Sequence, residues 1–395
     1  MIQNMKYEMK KYIITKNNLI ILVALSLLSV GILFWNEESY VVEKNVRQRF
    51  FHKIESMHLS AADKQKMEQE KDQTEQEIYE EDLVTPKRAE MKKKGKYADT
   101  KLYDYCLLDE VLTCIDTMEK RNKNTAFLAE KDQSLEGEYQ KEHNRSLVDR
   151  KKLNLFVQNT NFGISACLLT IFLLCASFSV EYECNNVDPV LRITPRGKET
   201  RIASKIATGM AVALVANLFY GVLYCLCQFL FLGVTFQDWK QQLFFVDGCQ
   251  ICASGATIGG FIAKQLLVSV LISILTAFLT MLFSKLFRKS MLSLAVTCVI
   301  FGTALLPDLF NDVVFSGKYT IHMNNWYFLS EPEFYRLLRT EKLFDPISLL
   351  RFQYYTGQPR YLQLSGYQYP AVIFPVLVAA LLIVFIGTML FKRRT

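Results

Sequence analysis

Apolar and polar positions are sharply segregated along this chain. Uncharged runs occupy Leu19–Trp35, Phe162–Val180, Ile206–Gly233, Gln265–Phe283, Met291–Leu306 and Ala371–Phe391. A helix of about 20 apolar residues crosses a hydrocarbon core of about 30 Å, so the pattern predicts six membrane spans with both termini on one side. Between the first two runs, residues 37–155 are dense in Glu, Lys, Gln and Asp, with Pro86 the only proline. Within them Tyr105, Leu108, Leu112 and Ile115 recur at helical spacing, widened by Val111 and Met118, which predicts an amphipathic helix. Residues 61–83 form a more polar helical stretch with Met67 and Ile78 as sparse anchors. Thr85-Pro86-Lys87-Arg88 and the lysines at 92–94 and 96 read as the tip of a helical hairpin. That tip suits contact with anionic lipid or wall polymer as well as a plain solvated turn.

The basic residues orient the spans. Arg192, Arg196, Lys198, Arg201 and Lys205 lie between spans two and three, Lys285, Arg288 and Lys289 between spans four and five, and Lys392, Arg393 and Arg394 follow span six. Loops rich in Lys and Arg face the cytoplasm, which places both termini inside and residues 37–155 outside. Lys6, Lys10, Lys11 and Lys16 precede the first run, which ends in Trp35-Asn36-Glu37-Glu38 with no small-residue cleavage pattern, so it reads as a retained anchor. Residues 1–17 carry Met5, Met9, Tyr12 and Ile13 at helical spacing and suit either an interfacial helix or a basic tail.

The expected organisation is therefore an all-α membrane protein. It has an interfacial helix at 1–17, spans at 18–36, 156–180, 206–233, 265–283, 291–306 and 371–391, a helical domain at 37–155 and a cytoplasmic loop at 181–205. A re-entrant or interfacial outer segment at 307–370 completes it, with candidate helices at Glu331–Arg339 and, opened by Asp345-Pro346, at Ile347–Tyr355. Its Trp326, Tyr327, Phe328, Tyr354 and Tyr355 suit an interface.

Composition changes this picture little. The chain is 51% hydrophobic and 22% charged, which excludes a wholly soluble protein, and its net charge of +7 sits beside apolar runs, so no nucleic-acid partner is inferred. Of ten cysteines, Cys167, Cys175, Cys225, Cys227 and Cys298 fall in apolar runs and read as small hydrophobes. Cys249 and Cys252 form a lone C-x-x-C, read as packing thiols or an incidental disulfide ahead of a redox pair. His52, His58, His143 and His322 have no metal-ligand spacing, so no metal site is expected.

The runs contain no acidic or basic side chain at depth, which argues against an ion-coupled transporter. Asn217 and scattered Ser and Thr read as seals between helices. Gly95-Lys96, Gly197-Lys198 and Gly317-Lys318 lack the upstream glycine of a phosphate-binding loop, so any ATP and Mg would belong to another polypeptide.

The loop after span two reads Glu181-Tyr182-Glu183-Cys184-Asn185-Asn186-Val187-Asp188-Pro189-Val190-Leu191-Arg192-Ile193-Thr194-Pro195-Arg196. An acidic pair leaves the span, Asp188-Pro189 opens a short helix, and Thr194-Pro195 closes it. Such a helix across the mouth of two spans can transmit force from a soluble partner, and a membrane-surface turn would read the same way. In Glu181, Pro195, Arg196, Arg201 and Lys205, and in its six-span plan, the chain resembles the permease subunits of type-2 ABC transporters over residues 1–36 and 155–395. It departs in the long insertion after span one, which resembles the enlarged outer domains of some bacterial permeases, and in Asn185-Asn186 where that family usually has Gly.

The resemblance implies a bacterial exporter built as a homo- or heterodimer of permeases, each on a cytoplasmic ABC ATPase. Glu181, Asp188, Pro189, Val190, Leu191, Arg192, Pro195, Arg196 and Arg201 would contact that ATPase, the chain itself would not be an enzyme, and a peptide, lipid-linked or drug-like substrate would move outward. The alternative from another class is a membrane-anchored sensor with an outer helical domain, which leaves four spans unexplained. A membrane enzyme would need clustered His, Asp or Ser in the outer regions, and none is found.

Overall fold

A computed structural model describes residues 15–55, 65–73, 105–109, 111–112, 149–158, 160, 162–183, 197–241, 243, 246, 257–302, 346–351, 361–364, 367–370 and 373–391. The described chain is nearly all helical. We label its helices α1 (Lys16–Glu55), α2 (Arg150–Gln158), α3 (Phe162–Leu174), α4 (Val180–Glu183), α5 (Gly197–Phe231), α6 (Phe236–Lys240), α7 (Ile258–Phe287), α8 (Ser290–Gly302) and α9 (Ile373–Phe391). Among the described residues, five stretches are long and apolar enough to cross a membrane: Lys16–Glu38, Lys151–Leu174, Thr200–Phe231, Ile258–Phe287 and Ile373–Phe391. The expected fifth span, 291–306, appears as the shorter apolar helix α8, and residues 303–306 lie outside the described ones.

The core lies where α3, α5 and α7 pack on one another, with α9 against α7 and α1 against α3. Hydrophobicity cannot drive association inside lipid, so close approach and interhelical hydrogen bonds do. One face of α7 supplies them through a buried row of Gln265, Ser269, Ser273, Thr276, Thr280 and Ser284. Gly163 of α3 sits so near Ser269 that an added Cβ would lie 2.5 Å from its Oγ. Ser273 Oγ accepts from Asn217 Nδ2 of α5 at 2.7 Å and lies 3.2 Å from Cys167 Sγ of α3. Ser29 of α1 and Ser165 of α3 share a 2.8 Å hydrogen bond, and Ser293 of α8 donates to the Thr280 carbonyl at 3.2 Å.

Several boundaries differ from the sequence expectation. α1 runs without interruption from the first span to Glu55, 40 residues in all. α5 begins at Gly197, not 206, so Lys205 is a buried helical residue and not part of a loop. α7 begins at Ile258, seven residues before the expected 265, because Thr257 caps it by accepting the Gly260 amide. The second span is not continuous to Val180: α3 stops at Leu174 and a turn covers Cys175–Ser179.

The segment expected to be re-entrant or interfacial within an all-α fold contains a β-hairpin, Tyr361–Leu364 (β1) paired antiparallel with Tyr367–Pro370 (β2), Leu364 opposite Tyr367. The alternation Tyr-Leu-Gln-Leu and the two-residue Ser365-Gly366 connection favour strands over helix. Where a helix Ile347–Tyr355 was expected, a 3-10 turn spans Ile347–Arg351. Its Leu349 and Leu350 are buried, and the Leu350 carbonyl accepts from Gln265 of α7. Glu331–Arg339, the hairpin tip at 85–96, residues 1–14 and the Cys249–Cys252 pair lie outside the described residues.

At the end of the bundle where α1 projects, one stripe of α1 is polar yet largely buried. Glu37, Tyr40, Lys44 and Arg47 follow at intervals of three, four and three. Glu37 accepts from Gln228 of α5 at 2.6 Å, and Lys44 donates to the Leu230 carbonyl at 3.0 Å near the end of α5. Arg47 forms a bidentate pair with Asp149 (2.6 and 3.1 Å), and Tyr40 donates to the same carboxylate at 2.8 Å. Asp149 also caps α2 by accepting the Lys152 amide at 3.1 Å. Lys151 pairs with Glu43 at 2.7 Å and Lys152 with Asp238 at 2.6 Å, Asp238 closing the capping box of α6 with Thr235.

Burial foremost, and then the Asp149 charge, hold the Tyr40 phenol protonated well above its ordinary range, while burial and neighbouring Lys152 lower the Lys44 ammonium. Beyond this stripe Phe50 and Phe51 pack against a small core of Met67, Leu108, Val111 and Leu112. The expected apolar stripe of residues 105–112 therefore does form a helical core, and Ile115 and Met118 lie outside the described residues.

Candidate functional site

The opposite end of the bundle brings together the two ends of the loop singled out in the sequence. Glu181 stands in the single turn of α4, which follows the break in the second span. Arg201 and Lys205 stand one helical turn apart on α5, so both project from one face of that helix. Glu181 Oε1 accepts from Arg201 Nε at 3.0 Å and pairs with Lys205 Nζ at 2.7 Å, while Arg201 Nη2 pairs with Oε2. Lys205 is only 1% exposed, an extreme for its residue type. Its ammonium lies 4.6 Å from the centre of the Phe178 ring and also donates to the Ser177 carbonyl. A buried charge persists only when paired and hydrogen-bonded, and here carboxylate, carbonyl and ring face all serve.

The break beside this cluster is satisfied in the same way. Phe178 and Ser179 turn their amides out of the helical ladder and both donate to Ser284 Oγ of α7, at 2.9 and 3.0 Å. Irregular backbone at membrane depth is tolerated only where protein supplies partners. On the far side of α4, Tyr182 carries the Arg288 guanidinium 4.9 Å from its ring centre. Arg288 itself adopts left-handed φ of 56° to end α7, a conformation that costs a non-glycine residue about 1 kcal/mol or more. Lys285, one turn earlier, donates to the Leu390 carbonyl at 2.7 Å near the end of α9.

Of the residues assigned to the site from sequence, Glu181 and Arg201 are thus brought into direct contact. Asp188, Pro189, Val190, Leu191, Arg192, Pro195 and Arg196 lie outside the described residues. Sequence reasoning missed Ser177, Phe178, Ser179, Ser284 and the Tyr182–Arg288 contact. A Glu at one end of a loop with Arg and Lys at i and i+4 beyond its other end was the available signal for the ion cluster. For Ser284 there was none, because a serine in an apolar run looks the same whether it seals packing or accepts amides.

Chemically the arrangement is a clamp. It contains no nucleophile paired with a base, and among the described residues no group of three or more His, Cys, Asp and Glu could hold a metal. What it does is fix the end of α4 to the base of α5 through one carboxylate, so that both ends of the intervening loop are anchored. Compared with known proteins, the chain matches no family model, no curated protein and no solved structure.

Proposed function

We propose that the chain is the membrane-spanning subunit of an ABC exporter, with both termini and the 181–205 loop cytoplasmic and the α1 extension outside. In this reading a separate ATPase holds ATP and Mg, a second permease completes the assembly, and a peptide, lipid-linked or drug-like molecule moves outward. The observation that carries it is the Glu181–Arg201–Lys205 cluster. A loop that merely turned at a membrane surface would not require a buried lysine and a shared carboxylate to join its two ends, whereas a loop that bears load would. The resemblance in Glu181, Pro195, Arg196, Arg201 and Lys205 points the same way.

The test is co-purification of ABC ATPase subunits from the cells that make this chain with wild-type and Leu191→Asp permease at equal membrane abundance. A carboxylate forced into an apolar interface costs several kcal/mol, enough to separate a complex of micromolar affinity. Loss of the ATPase supports the proposal, and undiminished co-purification with undiminished stimulated turnover refutes it. The sensor reading draws on one feature, the unbroken α1 that joins a span to the core around Phe50 and Phe51. It predicts that no ATPase co-purifies with either form.

A further inference from the structure

At the break in the second span, helical hydrogen bonds are exchanged for others, three of the displaced groups bonding to neighbouring helices. In an unbroken helix the Phe178 amide would bond to the Leu174 carbonyl and the Ser179 amide to that of Cys175. Here the Leu174 carbonyl is taken by the Ser177 amide at 2.9 Å, a tighter i to i−3 bond, and the Cys175 carbonyl by the hydroxyl of Ser179 at 3.5 Å. The two displaced amides go to Ser284 Oγ of α7. The Ser177 carbonyl, which would close onto the Glu181 amide, receives the Lys205 ammonium of α5, and that amide bonds to Phe178 at 3.3 Å instead. Neither proline nor glycine occurs in Cys175-Ala176-Ser177-Phe178-Ser179, so nothing in the backbone chemistry forbids the straight form.

We infer that Cys175–Ser179 is a two-state hinge in the second span and that Ser284 is the positioning residue that holds it bent. The Phe178 and Ser179 amides and the Ser177 carbonyl find replacement partners on α7 and α5, so for these groups the two forms differ by an exchange of bonds and not by their loss. An element of that kind is bistable, which is what a switching segment requires. The placement fits motion. α3 is fixed to α7 by the close approach of Gly163 to Ser269, whereas α4 is tied to the base of α5 by Glu181. The five residues between them form the only irregular backbone among the described residues of this stretch, 162–183. The hinge itself is independent of the ATPase. Its role in coupling rests on the permease reading, because a pull on the loop would reach it first.

The experiment measures the span directly on the full chain in lipid nanodiscs, without any ATPase. Nitroxides are carried on non-canonical residues replacing Val180 at the hinge and Leu267, exposed on the opposite half of α7, which leaves native thiols untouched. Helix rise separates these levels by about 25 Å, suited to pulsed electron–electron distance measurement. The bent wild type should give one distance. Ser284→Ala removes the acceptor and should shift the main population by several Å, Ser284→Cys, a weaker acceptor of similar shape, should populate both distances, and Ser284→Thr should restore the wild-type one. Wild-type distances in Ser284→Ala and Ser284→Cys alike would show a static kink and overturn the inference. So would a shift in Ser284→Thr equal to that in Ser284→Cys, because the hydroxyl oxygen would then not be what holds the bend. A failed co-purification test would leave the distance result standing, so the two failures are distinguishable.

Discussion

Removing the charge of Glu181 should destabilise the bundle far more than its single carboxylate suggests, and removing Lys205 with it should give about a third of that stability back. In Glu181→Gln the volume is kept but Lys205, 1% exposed, loses the carboxylate it is paired with, retaining the Ser177 carbonyl and the Phe178 face. Breaking a buried pair from one side costs about 3–5 kcal/mol, and those residual contacts together with the part-exposed Arg201 place this case near the lower end, about 3 kcal/mol. Lys205→Met leaves Glu181 with both nitrogens of Arg201, so its cost is that of one charged hydrogen bond, about 1.5 kcal/mol. Simple addition gives about 4.5 kcal/mol for the double variant, whereas pairwise loss of a buried ion and its partner should cost about 2 kcal/mol, a coupling of about 2.5 kcal/mol. Reversible unfolding in mixed micelles of increasing SDS, followed by circular dichroism and tryptophan fluorescence, measures the cycle. Costs that add to within about 0.5 kcal/mol would show that the three charges are solvated and that the clamp carries no load.

Two further outcomes are expected from the same unfolding assay. Gly163→Ala forces its new Cβ to within 3.0 Å of Ser269 Oγ, Ser269 Cβ and Leu350 Cδ2 and should cost about 1–3 kcal/mol, whereas Gly209→Ala meets the flexible end of Met281 and should cost under about 1 kcal/mol; equal costs would contradict the packing described. The Tyr40 phenol loses its proton less readily folded than unfolded, so the folded state binds more protons above the unfolded value of about 10 and stability falls as pH rises through that point. Lys44, lowered in the folded state, acts in the opposite sense over the alkaline range, so Tyr40→Phe should flatten the decline between about pH 10 and 11, and an unchanged slope would show that Tyr40 is not buried against Asp149.

The spans were legible because a run of about 20 uncharged residues has few other structural uses. Helix ends were less so. Lys205 reads from sequence as an inner-leaflet cation, the usual fate of lysine beside a span, and its burial depends on Glu181, which lies 24 positions earlier and reaches it only in the fold. The polar stripe of Glu37, Tyr40, Lys44 and Arg47 had helical spacing in plain view, yet periodicity is ordinarily sought in apolar residues, and here the buried face is ionic. The break at Cys175–Ser179 carries no proline or glycine, so only the partners on α5 and α7 reveal it. The hairpin at 361–370 was masked by its tyrosines, which suit a membrane interface as readily as a strand.

The unbroken α1 imposes a rule of phase on everything beyond the membrane. Its 40 residues make a rod about 60 Å long, and each residue turns the rod by about 100°. Glu37, Tyr40, Lys44 and Arg47 must face α2 and α5 while Val46, Phe50 and Phe51 face the helical core farther out. One residue added between Arg47 and Phe50 would swing that outer core a quarter-turn or more away from its present azimuth, and four would overshoot by about 40°. Seven would bring it back to within about 20°, some 10 Å higher. The projecting part of this protein can thus change height by about two or three helical turns at a time, about seven or eleven residues, and not by one.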